Sequence, residues 1–146
     1  MDNFLKKGNS LYKLLFLGIV FLFSGCSDTP KKTVLNIFEA LEEGDLATIS
    51  RESSLKTSGY FSMYALKKCD LPRDKYKDNE LELLDKCIKI AYTDTKLESL
   101  TIDILSENEA IAHVVTKSHH QKQNHTWKVL KIEEDWKLYV EGKEKN

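Results

Sequence analysis

The stretch LESLTIDILSENEAIAHVVTKSHHQKQNHTWKVLKIEEDWKLYV, residues 97–140, decides the fold of this chain. Its first segment sets Leu100, Ile102 and Ile104 on one side and Thr101 and Asp103 on the other, the period-two pattern of a strand with one buried face. Ser106 to Glu109 supply a turn. A second strand then places Ala110, Ala112 and Val114 on one face and Ile111, His113 and Val115 on the other. The small residues at 110 and 112 leave room for a helix or an aromatic ring opposite. A polar stretch, Ser118 to Asn124, precedes a third strand, Trp127 to Ile132, where the adjacent Val129 and Leu130 imply a bulge or a strand apolar on both faces. Glu133 to Asp135 turn the chain into the last strand, Trp136 to Val140. Four strands in succession joined by polar turns make an antiparallel meander, and its apolar face needs a second layer.

Upstream residues supply that layer. Thr29-Pro30 reads as an N-cap followed by proline at the first helical position. Val34, Ile37, Phe38 and Leu41 recur at helical spacing, and Gly44 ends the helix as a left-handed cap. Asp45 caps a second, shorter helix carrying Leu46 and Ile49. Between Ser53 and Lys68 the pattern weakens: Gly59 interrupts, and Tyr60, Met63, Tyr64 and Leu66 suggest a short helix. Leu71-Pro72 breaks the chain. Asn79 then begins a helix in which Leu81, Leu84, Ile88 and Tyr92 share a face. The expected class is α+β, with N-terminal helices packed on a curved four-stranded antiparallel meander sheet.

The first residues read as an address. Lys6, Lys7 and Lys13 precede the apolar run Leu14 to Phe23, too short for the ~20 residues a bilayer-spanning helix needs. Phe23-Ser24-Gly25-Cys26 resembles the lipobox of bacterial lipoproteins, departing from it at Phe23, where leucine is usual. The resemblance implies a signal peptide over residues 1–25 and a lipidated Cys26 as the first mature residue, its acyl chains (palmitate among them) anchoring the protein in the membrane. Ser27 after the cysteine resembles the outer-membrane default of such lipoproteins, facing the periplasm; Asp28, one residue later, leaves the inner membrane open. Residues 26–29 form a tether of little more than about 10 to 15 Å, so the single domain expected over residues 30–146 sits close to the bilayer, with Lys31 and Lys32 toward the headgroups.

The chain carries a formal net charge of −1. Removing the leader takes away Lys6, Lys7, Lys13 and Asp2, so the mature domain is more acidic still. No basic patch suggests nucleic acid, and export argues against it. Cys69 and Cys87 lack the Cys-x-x-Cys spacing of redox enzymes. In an oxidising compartment a small exported domain favours a structural disulfide between them; two reduced buried thiols and a catalytic pair are the alternatives. A bridge would pin residues 70–78 to the helix that carries Cys87.

Gly44-Asp45 at a helix end, Leu100-Thr101-Ile102, Ala110-Ile111-Ala112 and the closing Asp135-Trp136-Lys137-Leu138 together resemble small bacterial lipoproteins with a nuclear-transport-factor-2-like domain of the cystatin-like superfamily. In that family glycine often precedes the tryptophan; here Asp135 stands there. The resemblance implies a cone of curved sheet wrapped on helices, with a pocket at its open end in some members, and no particular chemistry.

The functional candidates are few. Asp103 and His113 are the strand-borne acid–base candidates, and an enzyme using them requires both to face inward. Each alternates with apolar residues, as an outer, wet position does. His119, His120 and His125 cluster in the hairpin between the second and third strands. Their neighbours Gln121, Lys122, Gln123 and Asn124 are poor company for a metal ion. No phosphate loop, nucleophile elbow or zinc motif occurs, and no cofactor is implied. The expectation is a non-catalytic, envelope-anchored module that binds an envelope protein or a small ligand in a groove lined by Tyr60, Tyr64, Trp127 and Tyr139. A small-molecule enzyme built on the same cone and a ligand-free dimerising spacer are the alternatives.

Overall fold

A computed structural model of the chain describes residues 28–141. Residues 1–25, read above as a signal peptide, and Cys26 lie outside the described residues. Helix α1 (Pro30–Glu43) starts where expected: the Thr29 hydroxyl accepts the Lys32 N–H at 3.2 Å, and Pro30 occupies the first turn. It ends at Gly44 in the left-handed conformation (φ 77°), whose N–H donates to Ala40 O. Val34, Ile37 and Leu41 are buried, as their spacing predicts. Gly44 also marks a close approach. A Cβ built there would sit 2.4 Å from the Asp85 carbonyl oxygen, so only glycine lets α1 end against the fourth helix.

Asp45 caps α2 (Leu46–Glu52) by accepting from both the N–H and the hydroxyl of Thr48. The Thr48 hydroxyl, more than any other contact, holds the Asp45 carboxyl below its ordinary pKa. Helix α3 (Leu55–Lys68) is longer than its sequence suggests. It runs unbroken through Gly59, because the Ser54 hydroxyl caps its first turn and Phe61 and Ala65 are buried. A 3₁₀ turn (Arg73–Tyr76) leads to α4 (Glu80–Tyr92), capped by Asn79.

The buried face of α4 is Leu83, Cys87 and Ile88, a correction to the expected stripe: Leu84 and Tyr92 are half-buried and Leu81 is 56% exposed. Two ties set this rotation. The Cys69 and Cys87 sulfurs are at bonding distance with Cα atoms 5.3 Å apart, and Asp85 Oδ1 accepts the Leu46 N–H at 3.0 Å. The disulfide therefore joins the end of α3 to α4, as the cysteine pairing predicts.

Strands β1 (Lys96–Ser106), β2 (Glu109–Ser118), β3 (Gln121–Ile132) and β4 (Asp135–Tyr139) form one antiparallel sheet in sequence order. β1 and β4 are its two edges, so the sheet is open. Together with the four preceding helices this is the expected α+β class.

Ala110, Ala112, Val114, Val129 and Leu138 are fully buried under the helices. Thr33, in the first turn of α1, donates to the Trp136 carbonyl, while Ser54 N–H donates to Leu138 O and Val140 N–H to the Thr57 hydroxyl. The first turns of α1 and α3 are thus stitched side by side to β4.

Two details differ from the expectation, and a third decides between its alternatives. β3 begins at Gln121, six residues before Trp127, because the reversal needs only His119 and His120, both at positive φ (46° and 70°). The β2–β3 register is unbroken, so Val129-Leu130 is a strand apolar on both faces, and the irregularities fall in β1 instead, at Leu97/Ser99 and Ile104/Ser106. Ile104, expected in the core, is 62% exposed: it lies beside the second irregularity on an edge strand with a neighbour on one side only.

Candidate functional site

Four elements contribute rings to one aromatic cluster that reaches the surface. Trp127 on β3 pairs with Ala112, whose small side chain leaves the helix-facing surface free for a large ring. Phe38 of α1 stacks on Trp127 with centroids 5.7 Å apart. Phe61 of α3 meets Trp127 edge-on at 6.4 Å and Tyr92 of α4 at 6.0 Å, and Tyr64 lies 5.6 Å from Tyr92. Tyr60 borders Phe61 at 5.8 Å. The cluster grades from buried Phe61, through half-buried Trp127 and Tyr92, to Tyr60 and Tyr64 on the surface. Aromatic pairs at these separations contribute about 0.5–1.5 kcal/mol each beyond area burial.

His125 adds a polar element. Two residues before Trp127, it shares the same face of β3, stacks on the indole at 5.2 Å, and places Nε2 3.3 Å from the hydroxyl of buried Thr116. Burial pushes its imidazole below the ordinary histidine pKa. Burial also raises the Tyr92 phenol, with Tyr60 and Tyr64 adding to the effect. His125 is therefore neutral near pH 7 and Tyr92 stays protonated. A surface of this kind offers π faces, a phenol and a neutral imidazole, which suits a planar or apolar group held by stacking and one or two hydrogen bonds.

Of the four residues expected to line a groove, Tyr60, Tyr64 and Trp127 belong to this cluster. Tyr139 does not. It neighbours buried Leu138 on β4, so it points from the opposite face of the sheet, beside Lys128. Phe38, Phe61, Tyr92 and His125 are the members the sequence did not single out for the groove. Helical spacing puts Phe38 in a core stripe, and its polar neighbours put His125 in the hairpin. The one signal that pointed to them was the pair of small residues at 110 and 112.

Asp103 and His113 do meet, Oδ2 to Nε2 at 2.8 Å, diagonally across β1 and β2. Both are exposed on the outer face of the sheet, away from the helices. The three hairpin histidines diverge: His119 pairs with Asp94 at 3.3 Å, His120 sits in the turn, and His125 enters the aromatic cluster. Among the described residues no group of three or more His, Cys, Asp or Glu is placed to hold a metal ion. No described helix is long and apolar enough to cross a membrane. No protein-family model matches the chain, and no curated protein matches it significantly.

Proposed function

We propose that this protein is a membrane-anchored lipoprotein of the bacterial envelope whose single domain is a non-catalytic binding or interaction module. The observation that carries the binding role is the graded aromatic cluster, buried at Phe61 and open at Tyr60 and Tyr64, with His125 and Tyr92 held neutral. Stacked rings that reach solvent in this way offer a partner apolar faces and aromatic edges at the surface, and burial keeps His125 and Tyr92 uncharged there. The anchor rests on the basic, apolar and lipobox-like order ending at Cys26, and the bonded Cys69–Cys87 pair suits an oxidising compartment. Attachment at the outer membrane, facing the periplasm, is the placement that Ser27 after the anchored cysteine supports.

Two measurements test the proposal. Mass spectrometry of the native product should find residue 26 as the N-terminus, carrying acyl chains. Crosslinked capture from intact cells should recover a partner with the natural chain and lose it with Tyr60→Ala plus Tyr64→Ala, whose exposed side chains leave the fold intact by near-ultraviolet circular dichroism. Trp127→Ala is the wrong probe, because that ring is part of the core. Undiminished capture by the double variant would refute this surface.

A further inference from the structure

The two edges of the sheet are treated differently by the rest of the chain. At β4 the outward backbone is taken up. The Trp136 carbonyl accepts from the Thr33 hydroxyl, the Leu138 carbonyl accepts from the Ser54 N–H, and the Val140 N–H donates to the Thr57 hydroxyl. At β1, among the described residues, no hydrogen bond beyond the pairing with β2 reaches the backbone of residues 99–104. An antiparallel strand turns the N–H and C=O of every second residue away from its one neighbour, so this run presents open donors and acceptors. Edges are commonly guarded by bulges and by charge. Here residues 99–104 stay in unbroken register, and the irregularities fall on either side, at Leu97/Ser99 and Ile104/Ser106. The charges of the strand are engaged within the chain: Lys96 pairs with Glu42, Glu98 with Lys122 and Asp103 with His113.

The side chains of this run are also unfinished on one face. Leu100, Ile102 and Ile104 lie opposite Val114, Ala112 and Ala110, so they share the helix-facing side of the sheet. Their β2 partners are buried, but Leu100 and Ile102 are half-buried and Ile104 is 62% exposed. The apolar row is closed on β2 and open on β1, where a further strand would continue it. Neither end of the described chain leads there. The first turn of α1 is bonded to Trp136, and Val140 follows β4, so both ends lie at the opposite edge. Three strand spacings, about 14 Å, separate that edge from β1.

We infer that β1 pairs antiparallel with β1 of a second copy of this chain, joining the two sheets into one continuous sheet. A two-fold axis normal to the sheet sets this edge against itself and keeps both helix layers on the same side. Through Ile102, the axis places that residue against its own copy and Leu100 against Ile104 of the second copy. Thr101 then meets Asp103 of the second copy, a hydroxyl beside a carboxylate. All three apolar side chains gain a cross-strand neighbour, Ile104 included. An axis through Thr101 leaves Ile104 facing Glu98, and one through Asp103 sets two carboxylates against each other, so the register is defined. Residues 100–104 of the two copies would exchange about four to six backbone hydrogen bonds. β1 is the edge farthest from β4, to which the start of α3 is stitched. The pairing therefore leaves Tyr60 and Tyr64 open and does not depend on the aromatic surface proposed above.

The test uses the full chain in native membranes. Cysteine replaces Ile102, which the axis sets about 5 Å from its own copy, Cβ to Cβ, and in a control variant it replaces Ser50, exposed on α2. Oxidation with copper phenanthroline should link I102C chains into disulfide dimers and leave S50C and the parent chain unlinked. Co-produced T101C and D103C chains should link to each other in preference to their own kind. Thr101 and Asp103 are both exposed, so this pair reads the register without touching the core. Adding I104K to I102C should lower the dimer yield on the order of tenfold, since the axis places the change at two contacts. Tyr60→Ala plus Tyr64→Ala should leave the yield unchanged. Equal dimer from I102C and S50C, indifference to I104K, or loss with the tyrosine pair would overturn the pairing. A disulfide from position 102 to another protein would show a foreign strand at this edge, and one to Cys26 of the same chain would show its own N-terminal residues there. Either result overturns the inference as well.

Discussion

Replacing Gly44 with alanine should be among the most costly single-methyl changes available in this domain. Two effects add. The left-handed backbone at φ 77° disfavours a Cβ by about 1–2 kcal/mol. The added carbon would also lie 2.4 Å from the Asp85 carbonyl oxygen and 2.9 Å from Lys89 Cβ, so the end of α1 must lift from α4. Forced overpacking of this kind costs about 1–3 kcal/mol. The sum is about 3 kcal/mol, or roughly 12 °C in Tm for a domain of this size. Urea unfolding followed by the fluorescence of Trp127 and Trp136 measures it, since both rings leave folded surroundings. Gly44→Asn separates the effects, because asparagine tolerates the left-handed region but keeps the Cβ. It should recover about 1 kcal/mol and no more. A Gly44→Ala protein within about 0.5 kcal/mol of the parent would refute the close approach of α1 to α4.

The other expected outcomes are smaller or of opposite sign. Gly59→Ala should stabilise by about 0.5–1 kcal/mol, because this helical glycine is exposed and a Cβ there meets nothing within 4 Å; a lower urea midpoint would show that α3 is not regular at that point. Converting both Cys69 and Cys87 to alanine should cost about 3 kcal/mol in the chain-entropy model, given their separation of 18 residues, and reductant should then no longer shift the melting curve. His125→Gln should flatten the acid side of the stability profile. The imidazole is depressed in the fold, so its contribution is complete above its ordinary value of 6.5 and is lost as pH falls through 6.5 toward the folded value, where the unfolded chain binds a proton the folded one does not. An identical slope between about pH 7.5 and 5.5 in both proteins would remove His125 as its source.

The elements legible in the sequence are those whose signals are local. Thr29-Pro30 and Gly44 mark both ends of α1 because capping bonds close within four residues, and the run Ala110, Ala112, Val114 names the buried face of β2 because strand periodicity needs no partner to be read. The meander order follows from turns placed between alternating segments. Residues 121–124 hid their strand because polar side chains there pair with Val115 to Ser118 through backbone bonds that composition does not report. Gly59 concealed the length of α3, whose continuity depends on Phe61 and Ala65 finding partners elsewhere in the fold.

The aromatic cluster was half visible. Tyr60, Tyr64 and Trp127 stood out as large rings, yet Tyr139 did too, and only its register beside buried Leu138 turns it to the other face. Asp103 and His113 could be placed on neighbouring strands from the sequence but not in contact, since a diagonal contact depends on the β1–β2 register. By itself, then, the sequence determined the order of elements, the ends of the first helix, the buried face of β2 and the cysteines that pair. Only the tertiary structure decided which rings meet and which face of α4 is buried, because those depend on how far each helix is rotated over the sheet, and that is set by contacts between residues far apart in the chain.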